Sequence, residues 1–132
     1  PDPSRANKYF KFSEFGCKCG SCEFVDGKAI DERIPAFFYD LRVAWGRPVY
    51  ISSGIRCPVP NNREGGVLSS KHLPQQGACA ADTNVMGDPP QRASERSKAR
   101  QIARKHGATI GFKTGSTVTH IDFRETRIEF NY

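Results

Sequence analysis

No run of apolar residues in this chain approaches the roughly 18 needed to span a bilayer, so no membrane-spanning helix is expected. Internal repeats, low-complexity tracts and linkers long enough to mark a boundary are also missing, and 132 residues suit one compact domain, 1–132, rather than two. The first residues, Pro1-Asp2-Pro3-Ser4-Arg5, lack the apolar stretch of a secretory signal. Either a signal has been removed or the protein leaves its cell by another route, such as lysis. Histidine is scarce, at three residues, which narrows any search for a catalytic imidazole.

What is present points to a globular, basic protein. Apolar residues make up 37% of the chain and aromatics are plentiful, enough for a real core. A net charge of +6 calls for an anionic partner, and both nucleic acid and the bacterial cell wall have that sign. Much of the charge lies between Arg92 and Lys105 (Arg92, Arg96, Lys98, Arg100, Arg104, Lys105), which reads most simply as a solvated helix face. The five cysteines are Cys17, Cys19, Cys22, Cys57 and Cys79; an odd number leaves at least one outside any internal disulfide. The cluster Cys17-Lys18-Cys19-Gly20-Ser21-Cys22 resembles half of a zinc knuckle. A closed zinc site needs four ligands, so Cys57 or Cys79 would have to join it. A disulfide or unligated thiols is the expectation.

Periodicity gives a coarse map. Up to about Lys28 the chain reads as an irregular arm pinned by Phe10, Phe12, Phe15 and Phe24. Ile34, Phe37, Phe38, Leu41, Ala44 and Trp45 recur at three- and four-residue steps, the stripe of a core-facing helix. Asp31 offers a cap and Gly46 a stop. Val49 to Ser53 alternates as a strand, and the stretch from Arg56 to Ser70, with Pro58, Pro60, Asn61, Asn62, Gly65 and Gly66, reads mostly as turn. Cys79 to Val85 is a second strand. Pro89 or Pro90 opens a basic helix that runs to His106 and stops at Gly107. Three more strands follow over Thr109–Phe112, Thr117–Phe123 and Arg127–Phe130. Helices packed on one side of a mainly antiparallel sheet make an α+β domain.

His106 closes the basic helix, where an imidazole suits the helix dipole. His72 and His120 have other surroundings. His72 precedes a loop into Ala80-Ala81-Asp82, where small alanines flank a lone carboxylate in an apolar strand. A buried Asp needs a partner, a cap or a metal. Alternation along Thr117-Val118-Thr119-His120-Ile121-Asp122-Phe123 puts Val118, His120 and Asp122 on one face. Two imidazoles and a carboxylate form a three-ligand catalytic zinc set that leaves one position open, but spacing by itself does not single out this trio.

Order adds what spacing lacks. Ser52-Ser53-Gly54-Ile55-Arg56-Cys57-Pro58, Asn61, Gly65-Gly66-Val67, Ser70-Lys71-His72-Leu73, Ala80-Ala81-Asp82 and His120-Ile121-Asp122-Phe123-Arg124 together resemble the zinc D-alanyl-D-alanine carboxypeptidase-like peptidases. That family includes phage endolysins and shares its fold with lysostaphin-type peptidases and the hedgehog signalling domain. The resemblance runs from about Phe12 to Arg124. It implies that His72, Asp82 and His120 hold Zn2+ in a cleft over the sheet, that Arg56 reaches substrate and its developing oxyanion, and that Ser70 helps hold substrate. A guanidinium fork suits both tasks of Arg56.

Two departures qualify the match. His72 and Asp82 stand ten apart, more than the family usually has, so Pro74-Gln75-Gln76 is expected to be an inserted loop on one wall of the cleft. Related dipeptidases also carry a Glu three residues before the last ligand as general base, where this chain has Thr117. Asp122 is the nearest acid and is taken as the base, with orientation of a ligand histidine as its alternative role. The implied activity is hydrolysis of stem or cross-bridge peptides of peptidoglycan by a monomer acting in the periplasm or cell wall. Rival readings are a non-catalytic zinc-binding domain and, from another class, a basic nucleic-acid binder.

Overall fold

A computed structural model of the chain describes residues 2–57 and 70–132. The turn-rich segment expected between Arg56 and Ser70, including Pro58, Asn61 and Gly65-Gly66-Val67, lies outside the described residues except at its ends. Among the described residues are two α-helices and five strands. Helix α1 spans Arg33–Trp45 and buries Ile34, Phe37, Phe38, Leu41 and Trp45. Its first turn takes a cap from Asp31, whose Oδ1 accepts the Arg33 N–H at 2.9 Å, and Gly46 ends it in the left-handed conformation at φ 69°. Helix α2 spans Pro89–His106, capped by Asp88 accepting from the Gln91 N–H at 2.8 Å and stopped by Gly107.

Strands β1 (Ile51–Ser53), β2 (Ala80–Asn84), β3 (Thr109–Phe112), β4 (Val118–Asp122) and β5 (Glu129–Asn131) form one sheet in the order β1-β2-β4-β3-β5. All pairings are antiparallel except β3 with β5. The α+β class and mainly antiparallel sheet are therefore as expected, with a parallel strand added at one edge. Helix α1 packs on α2, and α2 on β3.

The basic helix is less free than its composition implies. The Arg96 guanidinium donates to the Ser116 carbonyl at 2.7 Å and stacks over Phe112. Arg104 pairs with Glu129 at 2.8 Å, Lys98 donates to the Ala44 carbonyl, and Arg92 to that of Gly87. His106 sits at the helix end, 2.7 Å from an Asp40 carboxylate oxygen. Glu95, buried, accepts from Arg47 and the Met86 N–H. Its charge is thereby paired inside the helix–sheet layer rather than left costly.

The N-terminal arm is irregular, with a 3₁₀ turn at Phe12–Phe15. Phe10 and Phe15 are buried against Phe38, which pins the arm to α1, while Phe12 and Phe24 are partly buried on the same core. The arm also reaches the end of β1: the Ile55 N–H donates to the Phe15 carbonyl at 2.9 Å. This approach needs Gly54, because a Cβ there would lie 2.3 Å from the Phe15 carbonyl oxygen.

Candidate metal centre

Sheet register brings the expected trio together. Asp82 on β2 faces His120 on β4 across the antiparallel ladder and Ser53 on β1 on its other side. Along β4, Thr119 and Ile121 are fully buried beneath the sheet, while Val118, His120 and Asp122 line a cleft of about 1150 Å³. The period-2 reading of this strand is thus the arrangement observed. His72 arrives from a loop, held by main-chain bonds on both sides. The Arg56 N–H donates to the His72 carbonyl and the Cys79 N–H to that of Lys71, each at 2.9 Å. One nitrogen or oxygen from each of His72, Asp82 and His120 lies within 4.8 Å of the others.

The protons in this cluster are constrained. His72 is 2% exposed, and its Nδ1 lies 2.7 Å from the Gly54 carbonyl oxygen. A carbonyl only accepts, so Nδ1 carries the hydrogen and a neutral ring presents a bare lone pair at Nε2. That Nε2 is buried and makes no hydrogen bond, although Asp82 Oδ1 is 3.3 Å away. Two electron-pair donors face each other with no proton between them, the situation a cation resolves. His120 Nδ1 lies 2.8 Å from the same Asp82 Oδ1. Its Nε2 lies 2.8 Å from Asp122 Oδ2 on the opposite side of the ring. Burial opposes a charge on His120, but the bonds to Asp122 and Asp82 outweigh it and raise its pKa to about 9. Burial likewise works against ionised Asp82, and the hydrogen bond and charge of His120 overcome it, holding the carboxyl far below its usual range. The residues fit a divalent ion bound by His72 Nε2, an Asp82 oxygen and His120 Nδ1, a nitrogen–oxygen donor set of the kind zinc takes.

Arg56 is held against the cluster by two side-chain bonds. Its side chain is only 12% exposed, with Nε donating to Ser53 Oγ at 2.9 Å and Nη2 to Asp82 Oδ2 at 3.1 Å. Backbone turn and strand ladder therefore aim the guanidinium at the cluster. Ser70 lines the same cleft, and its Oγ accepts the His72 N–H at 3.3 Å. Asp122 is fully buried. Its Oδ1 accepts from the Arg124 N–H and Nε, and its Oδ2 from Arg124 Nη2 and His120. Burial disfavours its charge, but these bonds lower its pKa to about 2.

Thr117 does not line the cleft; its hydroxyl donates to Asn84 Oδ1. Nor do Pro74–Gln76 line it. They form a 3₁₀ turn beyond the buried Leu73, so the extra length between His72 and Asp82 is taken up away from the cleft wall. Sequence reasoning missed the aromatic wall. Phe130 and Tyr132 line the cleft, their rings 6.2 and 6.4 Å from that of His120. Gly111, paired with both His120 and Phe130, makes the room: a Cβ there would be 2.6 Å from Phe130 Cζ. Alternation carried past Phe130 would have placed Tyr132 on the same side.

Fold and site together define a class: an α+β protein with a metal-competent His-Asp-His cluster on the floor of an open cleft. A family profile described as Peptidase M15 matches residues 8–122, most of the chain, and the protein belongs to that family. The matched span includes Arg56, Ser70, His72, Asp82, His120 and Asp122. No curated protein matches the chain.

Proposed function

We propose that this protein is a zinc peptidase acting on stem or cross-bridge peptides of bacterial peptidoglycan, in the periplasm or the cell wall, with His72, Asp82 and His120 as its metal ligands. The observation that carries the reading is the buried, unbonded Nε2 of His72 turned toward the Asp82 carboxylate. When bound, zinc supplies Lewis acidity, polarising a peptide carbonyl and making water acidic enough to act as a nucleophile near neutral pH.

The chain's own residues do the rest. Gly54 fixes the His72 tautomer through its carbonyl, and Asp122 holds the far nitrogen of His120. Both are outer partners of a kind that orient ligand imidazoles. With both Asp122 oxygens engaged, we assign it this positioning role in preference to that of general base. Glu125 is the remaining carboxylate among the described residues lining the cleft and is exposed, free to carry a proton between water and the leaving amine. Arg56 offers the donor for a developing oxyanion, and Ser70 a hydroxyl for substrate. Lys71 and Lys113 also line the cleft, a rim suited to the free carboxylates of wall peptides.

That the family match runs without a break from the arm to β4 supports reading the chain as one domain. Arg100 and Arg104 of α2 share the Glu129 carboxylate, which reduces the charge this helix offers a nucleic acid. A non-catalytic metal-binding domain is favoured by one observation, the threonine in place of a Glu at position 117.

Mass spectrometry of peptidoglycan fragments released by the purified protein tests the reading. Cleavage within the peptides is expected, and His120→Ala should abolish it together with metal at the triad while the helical circular-dichroism signal persists. Intact wall after incubation with the zinc-loaded protein would favour the non-catalytic reading.

A further inference from the structure

The four cysteines of the first half of the chain come together away from the cleft. The Sγ atoms of Cys17, Cys19, Cys22 and Cys57 all lie within 4.8 Å of one another. None of the five cysteines, all of them among the described residues, is in a disulfide. Cys79 is elsewhere, its thiol directed at the Gln76 carbonyl. Cys57 joins the arm because Phe15-Gly16-Cys17 runs beside Gly54-Ile55-Arg56-Cys57. The Ile55 N–H donates to Phe15, and two residues on the Cys57 N–H points at Cys17 Sγ at 3.4 Å.

Further donors face the sulfurs. The Phe24 N–H lies 3.4 Å from Cys22 Sγ, and the Ser21 hydroxyl 3.9 Å from Cys19 Sγ. Hydrogen bonds onto sulfur suit thiolates, which carry charge, more than thiols, which accept weakly. A zinc ion with four thiolates at about 2.3 Å has sulfur–sulfur edges of about 3.8 Å, so the 4.8 Å limit that holds for every pair here is within about 1 Å of what such a site needs. Two disulfides would divide the sulfurs into pairs, whereas here all four converge. Soft, closed, four-sulfur donor sets select zinc among the common divalent ions.

We propose that Cys17, Cys19, Cys22 and Cys57 bind a second, structural zinc ion that clamps the arm to the turn carrying Arg56. The part of the arm from 18 to 23 contributes nothing to the hydrophobic core, and a metal supplies the folding energy that apolar burial does not. The site is independent of the peptidase reading, since it shares no ligand with the triad.

Purified protein prepared without chelator should contain about two zinc ions per chain. Cys57→Ser and His120→Ala should each contain about one. Loaded with cobalt, the wild-type protein and His120→Ala should show the strong near-ultraviolet thiolate-to-metal absorption, and Cys57→Ser should lose most of it. If Cys57→Ser does not fold, His120→Ala decides the matter: metal bound with thiolate absorption supports the site, and metal absent overturns it. Disulfides among these four cysteines, found by mass spectrometry after alkylation without reduction, would also overturn it. Failure of wall hydrolysis leaves all these readouts untouched, so the two readings fail separately.

Discussion

His72, Asp82 and His120 stand on or beside paired strands, whereas Cys17, Cys19, Cys22 and Cys57 stand on loops. In the first cluster the ladder does the placing: Asp82 is opposite His120, and every hydrogen bond of β2 with β4 holds that pair in register. In the second no ladder exists, and the sulfurs meet because a few main-chain bonds lay the arm along the exit of β1. The donors differ in the same sense. Nitrogen and oxygen, three in number and lining a cleft, leave a side open for chemistry, while four sulfurs close the coordination shell. A rigid frame with an incomplete donor set suits a reaction, and a soft frame with a complete set suits a staple.

Arg56 is where the two meet, being next to Cys57 in sequence and bonded to Asp82. Arg56→Ala should therefore have the largest effect that still separates them. Loss of an oxyanion donor lowers turnover about 100- to 1000-fold. The side chain is mostly buried and also bonds Ser53, so stability should fall as well, by about 1–3 kcal/mol. Thiolate-to-cobalt absorption should not change. Loss of that absorption with the activity would mean that the clusters act as one unit, and unchanged hydrolysis of wall fragments would reduce Arg56 to a structural ion pair.

A smaller effect, confined to the triad, is expected of Asp122→Asn. The amide keeps the shape but weakens the hold on His120, and losing such an outer partner typically costs about 10- to 100-fold in metal affinity. Competition against a zinc chelator measures this directly. Normal affinity with lost turnover would instead make Asp122 the base, and Glu125→Gln would then leave the rate intact. Both results together would reverse the roles assigned above.

The contrast between clusters is also a contrast in what the chain discloses before it folds. Alternation along residues 117–123 and the alanines beside Asp82 are local features, and both survive into the sheet because the strands that carry them are packed into the interior. The caps at Asp31, Gly46 and Gly107 and the stripe on α1 were legible for the same reason. The fourth thiol was not. Whether Cys57 or Cys79 joins Cys17 depends on how the arm crosses β1, a long-range closure with no periodic signature. The environment of Arg56 was not legible, because nothing in a Ser-Gly-Ile-Arg turn shows that the neighbouring strand brings Asp82 within 3.1 Å of its guanidinium. The aromatic wall was lost to a strand end placed one residue early, since β5 reaches Asn131 rather than stopping at Phe130.

That wall supplies the smallest effect and the finest distinction between the clusters. Tyr132 lines the cleft and packs on Phe130 and His120. Burial, helped by the Asp82 charge, pushes its phenol up to about 12. The hydroxyl is thus a neutral hydrogen-bond donor on a residue of the cleft wall. Tyr132→Phe keeps the ring and its packing and removes only that donor. A neutral hydrogen bond contributes about 0.5–1.5 kcal/mol net, so hydrolysis should slow by roughly 2- to 10-fold, with metal content, thiolate absorption and melting temperature unchanged. A loss approaching that of Arg56→Ala would mean that the phenol stabilises the transition state itself. No loss at all would leave the ring as a wall and nothing more.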